Sequence, residues 1–416
     1  MKYQVLNPSS IPSYIETISE VVSVLGENRR LEIEEVGDGN LNYVFKIRNL
    51  NNPGAEVVLK QAVPYLRMVG EEWPLSRDRM RYEIRALKIY NELTPEHVPQ
   101  IYFADEEMSL VIMQCLSEHV ILRYGMIEGT VYPNVVGHIT TFLAETLFKT
   151  SSLCLESEKK RELMSQFTMN AELCKLTENF IFSFPYMEHD SNYSNPKTDE
   201  YLQEWRRDSD YKKQVLKFKD LFMNKADALL HGDVHTGSLM VSQEQSFVID
   251  MEFAFFGPFS FDVGKLMGNY MLAYTSHFYH SSDGTYQAWL LDSIVEIWRQ
   301  FHSKFLALWE SQNESALILN GYLSEQELEK APLIYKTLKD VVFALQQGND
   351  FDSTIEQAQE RLQKGGFIVD YLTLCRESDL KCATSEDARL VLLVAAYLGT
   401  ARLIDNLAFP LNRAND

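Results

Sequence analysis

Apolar positions along the chain change period several times. Between Ser10 and Gly26 they fall at Ile15, Ile18, Val21, Val22 and Leu25, the spacing of one helical face, with Ser10 placed to cap and Pro12 two residues on. An opening helix is predicted there. From Leu31 the pattern alternates: "LEIEEVGDGNLNYVFKIRNL" carries β-branched and aromatic residues on both sides of a glycine turn, which predicts a hairpin, and "AEVVLKQA" reads as the next strand. After Pro74 the helical period returns in Met80, Ile84, Leu87, Ile89 and Leu93, and "VPQIYFADEEMSLVIMQCL" then gives two more short strands. These elements predict a small α+β unit ending near Cys115.

Downstream the pattern is mostly helical, over Tyr132 to Thr150, Glu156 to Gln166, Ala171 to Asn179, Leu216 to Asn224, Trp289 to Glu310 and Ala388 to Leu407. Two short strands, "LMVS" and "FVID", interrupt it. The stretches "EHDSNYSNPKTDEYL" and "QQGNDFDST" read as surface loops. The most apolar run, "LVLLVAAYLGTA" from Leu390 to Ala401, is too short to cross a bilayer, which takes roughly 20 residues, and is expected to be a buried helix.

Charge and cysteine usage narrow the function classes. A formal net charge of −20 over 416 residues disfavours nucleic acid and anionic membranes as partners, since both would be repelled without a strong local basic patch. Five cysteines, odd in number and without CxxC spacing, argue against a disulfide framework or a cysteine zinc site and suit a cytoplasmic protein. The start "MKYQVLNPSSIPSYIETI" has no charged segment followed by an apolar run, so no secretory signal is expected.

The chemistry concentrates in "LLHGDVHTGSLMVSQEQSFVIDMEFAFFGP". His231 and His235 stand four apart, as zinc-binding histidines do on a helix, but Gly232 lies between them, no glutamate follows His231, and Gly237 comes at once, so a continuous metal-binding helix is not expected. Asp233 and Asp250 instead stand directly beside apolar strands, where a charge is costly without a partner. Asp250 and Glu252, two apart, would point to the same side of an extended segment and offer hard oxygen ligands to Mg²⁺, while Asp233 could accept the proton of an attacking hydroxyl. Singly, each acid reads as a solvated loop residue and His231 as a satisfied core histidine. Together they fit phosphoryl transfer, which asks a protein for positioning and charge neutralisation.

A kinase also needs a nucleotide cradle. "EVGDGNLNYVF" is a glycine turn between strands, with Asn40 and Asn42 small enough to let the backbone approach phosphates, although such a turn is more often only a hairpin. Lys60, inside an apolar strand, must direct its ammonium to a counter-charge, and Glu83 on the following helix is the expected partner. Strand lysine, helical glutamate, loop aspartate and strand-end aspartate thus occur in kinase order.

The strings "EVGDGNLNYVFKI", "LKQAVPYLRMVGEEWPLSRDRMRYE", "YGMIEGTVYP", "HGDVHTGSLMV" and "IDMEFAFFGPFSFDVGKLMGNY" resemble the 5-methylthioribose kinases, within the protein-kinase-like superfamily of aminoglycoside phosphotransferases and choline kinases. The resemblance runs from Leu31 to about Tyr322. It implies a two-lobed α+β fold, with residues 1–116 as the ATP-binding lobe and 117–416 as a mainly helical catalytic and substrate-binding lobe. It further implies Asp233 as catalytic base, Asp250 and Glu252 as ligands of Mg²⁺, and Asn40, Lys60 and Glu83 at ATP. Gln114, Cys115 and Leu116 would form the adenine-facing hinge, and Trp73 would lie on a loop closing over the phosphates. Ser238 stands where most relatives of the wider superfamily carry a metal-binding asparagine. The implied partner is a small sugar, and family members are often homodimers. The family also bears two adjacent arginines near its C-terminus that clasp the sugar. The best counterpart, "KTLKDVVFALQQGNDFDSTI", places Asp340 and Val341 there, which leaves open a kinase for another 5-substituted pentose, a nucleoside-like sugar or an amino sugar. A nucleotide-binding pseudokinase is the reading from a different class.

Overall fold

The computed structural model describes residues 3–37, 41–67, 69–279, 284–311, 324–384, 387–399 and 401–411. Two compact units are present, Met1–Leu317 and Ile318–Asp416.

The first unit opens with α1 (Ile11–Ile15) and α2 (Ser19–Leu25) where one helix is expected. Ile18 is extended between them, and the Thr17 hydroxyl donates to the Tyr14 carbonyl at 2.7 Å, a side-chain bond that competes with the helical ladder. β1 (Leu31–Glu35), β2 (Asn42–Asn49) and β3 (Glu56–Ala62) follow, then a small hairpin of β4 (Tyr65–Leu66) and β5 (Gly70–Pro74), the helix α3 (Arg79–Leu93), and β6 (Ile101–Asp105) with β7 (Leu110–Gln114). Five of these strands form one antiparallel sheet in the order β1-β2-β3-β7-β6. Alternation along β3 divides its side chains. Val57 and Leu59 pack with Ile11, Ile15, Val21 and Leu25 of the opening helices, whereas Val58 and Lys60 lie on the opposite face, toward α3. That face is where the site is built.

The rest of the unit comprises β8 (Val120–Ile121), α4 (Leu122–Ile127), α5 (Val135–Lys149), α6 (Ser157–Ser165), α7 (Ala171–Phe180), α8 (Asp199–Arg207), α9 (Ser209–Asn224), β9 (Ala228–Leu230), β10 (Leu239–Val241), β11 (Ser246–Val248), β12 (Phe255–Gly257), α10 (Ser260–Ser276) and α11 (Thr285–Ser311). α9 starts earlier than its apolar period suggests because Asp208 caps it, accepting from the backbone N–H of Asp210 and Tyr211 at 2.9 Å each. β9 pairs with β12, and β10 pairs with both β11 and β8. These short buried strands hold the segment His231–Ser238 between β9 and β10, and Ile249–Ala254 between β11 and β12.

The second unit contains α12 (Glu325–Lys330), α13 (Leu333–Gln346), α14 (Phe351–Lys364) and a three-stranded antiparallel sheet, β13 (Ile368–Arg376), β14 (Arg389–Leu398) and β15 (Ala401–Pro410). The single catalytic lobe expected over 117–416 therefore divides, its last hundred residues forming a compact unit of their own. The helix expected over Ala388 to Leu407 is two strands instead. β14 is the central strand: Leu390, Leu392, Val394, Ala396 and Leu398 pack with Ile334, Leu338 and Leu345 of α13 and Leu362 of α14, while Val391 and Ala395 between them are buried as well. A strand buried on both faces is a continuous apolar run in which a period of two cannot be seen. Gly399, at φ +60°, ends it where a helix would have continued. Leu392→Ala should cost this unit about 2–5 kcal/mol, and hydrogen exchange should show faster amide exchange across β13, β14 and β15 than in the parent chain.

Candidate active site

Two loops and one helix build the centre of the first unit. Gly232 turns the backbone at φ +82°, and a Cβ added there would lie 2.2 Å from the Phe253 carbonyl oxygen, so only glycine lets the two loops approach. The buried Asp262 carboxylate, at the start of α10, accepts from the backbone N–H of His231 at 2.8 Å and of Gly232 at 3.1 Å. One helical turn on, the Lys265 ammonium is ion-paired with Asp233 Oδ1. Further along α10, Asn269 Oδ1 accepts from the Thr236 hydroxyl at 3.2 Å. One face of α10 thus grips the loop at three points, since residues three and four apart share a helix face.

His231 acts inside the fold. Its Nε2–H donates to the Ile249 carbonyl at 2.8 Å and its Nδ1 accepts the Asp233 N–H at 3.2 Å, joining the two loops through a neutral ring. Burial pushes its pKa down to about 4, with the Ile249 bond opposing. His235 accepts the Gly237 N–H on Nδ1 at 2.8 Å, which leaves Nε2, 3.3 Å from Asp233 Oδ2, as the protonated nitrogen. Burial alone would raise the Asp233 carboxyl, yet the His235 hydrogen bond and the Lys265 charge hold it at about 2. Asp233 is therefore ionised across the physiological range. Ser238 donates its hydroxyl to the Asp233 carbonyl at 3.0 Å and so fastens the loop.

Across the cleft, Lys60 reaches Glu83 Oε1 and Asp250 Oδ1, both at 2.7 Å. Burial alone would discharge Lys60, but Asp250, Glu83 and Glu252 together hold it protonated. Glu252 is buried and takes Asn42 Nδ2 at 2.9 Å, with Arg79 Nε at 3.5 Å, and Arg79 also donates to Asn42 Oδ1 at 3.0 Å. Three carboxylates thus face two cations. Burial, only partly offset by Lys60, lifts the Glu83 carboxyl to about 7, and burial raises Glu252 too. Excess negative charge of this kind fits a divalent cation entering beside Asp250, whose side chain keeps 46% of its surface open. Asp250 sits at φ +65° and Met251–Phe253 form a tight helical turn. The expected extended segment with two acids on one side is therefore absent: Asp250 opens to the cleft, whereas Glu252 is held in its wall.

A cavity of about 580 Å³ runs from Val36 and Val58 past Lys60 to Asp233 and Asp250. Gln114, Cys115 and Leu116 line it where β7 ends. A second cavity of about 390 Å³ has mainly apolar walls, including Trp73, Leu75, Leu176, Phe180 and Ile181, with Asp233 and Lys265 at its polar end. Asp233 borders both spaces.

Residues 32–294 match the phosphotransferase enzyme family. Methylthioribose kinase 1 of Oryza sativa subsp. japonica is 40% identical over 319 residues, covering 75% of this chain and 74% of the relative. The chain belongs to the methylthioribose kinase family. The methylthioribose kinase of Escherichia coli O45:K1 is 38% identical over 325 residues, 75% of each chain, and that of Bacillus velezensis is 36% identical over 351 residues, 82% of this chain and 86% of the relative. The two-lobed kinase-like fold expected for this family is the architecture of the first unit. Residues 315–408, in contrast, match the pantoate-beta-alanine ligase family.

That second match relocates part of the expected site. Asp340 lies on α13 in the second unit, ion-paired with Arg361 of α14 at 2.5 Å, and Val341 belongs to that unit's core. The segment aligned with the methylthioribose kinases' arginine pair thus falls in a stretch resembling another family, and Asp340 is not among the residues brought together at Asp233. Trp73, expected over the phosphates, lines the second cavity rather than the cleft. Asn40 lies outside the described residues, and Asn42 is the asparagine seen to engage Glu252. The structure adds Asp262, Lys265 and Asn269, for which a helical pattern alone names no target, and Arg79, whose burial could not be told from a solvated helix face.

Gly232→Ala should lower stability by about 1–3 kcal/mol in thermal unfolding, through the strained φ and the clash with Phe253. His231 should make stability pH-dependent. Its pKa rises from about 4 when folded to about 6.5 when unfolded, so the unfolded chain binds a proton that the native one refuses; the contribution is complete above pH 6.5 and lost as pH falls toward 4, up to about 3 kcal/mol. The stability difference between the wild type and His231→Gln, followed by denaturant unfolding, should therefore shrink over that interval.

Proposed function

We propose that the first unit transfers the γ-phosphate of ATP to the 1-hydroxyl of 5-methylthioribose. The observation that carries this reading is the place of Asp233, an ionised carboxylate bordering a nucleotide-sized cleft on one side and an apolar-walled cavity on the other. A pentose with a methylthio substituent suits the second cavity, since a thioether needs no hydrogen-bond partner while the ring hydroxyls can reach Asp233 and Lys265.

In this mechanism Gln114, Cys115 and Leu116 face the adenine, and Lys60, held by Glu83, directs its ammonium to the phosphates. Asp233 accepts the proton of the sugar hydroxyl and aligns its oxygen for in-line attack. Mg²⁺, when bound, neutralises charge on the phosphates, with Asp250 as its most accessible ligand and Glu252 behind it. His231, Ser238 and α10 keep Asp233 from turning away. The phosphoryl group leaves the ATP β-phosphate as the new bond to the sugar oxygen forms, giving ADP and the sugar 1-phosphate. The five described cysteines are all free thiols, in keeping with a cytoplasmic enzyme.

The test is release of ADP from ATP with Mg²⁺ and a panel of pentoses, amino sugars and nucleosides. Methylthioribose should give the largest kcat/KM; turnover of another acceptor with none above background for methylthioribose would replace it. Asp233→Asn should lower kcat by at least about 10²-fold while ATP still binds, as followed by titration calorimetry. A nucleotide-binding regulator would keep its role after that change.

A further inference from the structure

We propose that Lys265 determines acceptor specificity by reading the hydroxyl next to the one that is phosphorylated. This deepens the proposed function and rests on it.

Lys265 is the cation at the polar end of the second cavity, and its ammonium is in contact with Asp233. The pair is held from below by the helix, not by loop residues. Lys265 lies on α10 between Asp262 and Asn269, both of which bind the loop that carries Asp233, and its own carbonyl accepts Asn269 Nδ2 at 3.1 Å. The Phe261 ring, 5.8 Å from the ammonium, covers another side. Its side chain retains 17% of its surface, so part of the ammonium remains open toward the cavity.

A carboxylate and an ammonium in contact present an acceptor and a donor side by side. An ammonium has three N–H donors, of which Asp233 uses one. When a sugar hydroxyl gives its hydrogen to Asp233, the oxygen on the adjacent carbon comes within reach of the second group, and Lys265 can donate to it. The ligand chemistry that satisfies both is a vicinal diol, here the 1- and 2-hydroxyls of the pentose. A buried ammonium facing a C–H in place of that oxygen would lose a charge-assisted hydrogen bond. The arginine pair that would clasp the sugar in the family has no counterpart near Asp233 among the described residues, and Lys265 supplies a cation at this position instead.

The experiment compares 5-methylthioribose with 5-methylthio-2-deoxyribose in the full-length wild type and in Lys265→Met. The wild type should favour the ribose by about 10- to 100-fold in kcat/KM, and the variant should treat both sugars within about threefold. A lysine that merely held Asp233 would lower both rates together and leave the ratio as it was, which overturns the proposal; so does a wild-type ratio near one. Lys265→Arg, which keeps a donor, should keep the preference, and if the methionine variant has no cooperative thermal transition, Lys265→Gln replaces it in the comparison. Failure of the wild type to phosphorylate methylthioribose at all would overturn the proposed function itself, an outcome separate from a ratio that does not change.

Discussion

A buried ammonium must find negative charge, and Lys60 finds it on two separate elements at once. Glu83 comes from α3 and Asp250 from the loop after β11, each at 2.7 Å from Nζ. Sheet, helix and loop are therefore tied at a single atom, and the cleft exists because these elements cannot collapse further without discharging one of the groups. The same constraint explains the neighbouring network. Arg79 and Asn42 occupy Glu252, so the wall of the cleft is an alternation of donors and acceptors and not a row of repelling acids.

On the opposite side of the cleft the dependence runs through α10. Asp262 is a carboxylate with two backbone N–H donors and burial pushes it up to about 7, which makes it a costly group to keep in place. Its return is geometric. The two donors are consecutive, His231 and Gly232, so the backbone just before Asp233 is set in direction and depth. His231 then carries that definition across to Ile249, one residue before Asp250. The presumed phosphate-handling acids are thus positioned from both flanks by groups that never touch a substrate.

Much of this was legible from residue order. Lys60 and Glu83 were readable because a charge inside an apolar pattern demands a partner, and Asp233 and Asp250 because they border buried strands. The α10 contacts were not, since Lys265 is thirty-two positions from Asp233 and a helical period says which face is buried without saying against what. Asp250 and Glu252 were misjudged as a pair on an extended segment because a positive φ at a non-glycine residue has no signature in composition. β14 was read as a helix because burial on both faces erased its period. Asp340 was placed at the sugar because an amphipathic helix of one family looks like that of another when only apolar spacing is compared.

The walls of the second cavity also bear on a competing reaction. Any enzyme that activates a hydroxyl for attack on ATP exposes that ATP to water, the most abundant hydroxyl present. A water molecule is retained where it finds two to four polar partners. Leu75, Leu176, Phe180 and Ile181 offer none from their side chains, and the indole of Trp73 offers a single N–H. The space beside Asp233 is thereby poorly suited to holding water in line with a phosphate, and wasteful hydrolysis is discouraged by the same apolar lining that welcomes the sugar's substituent.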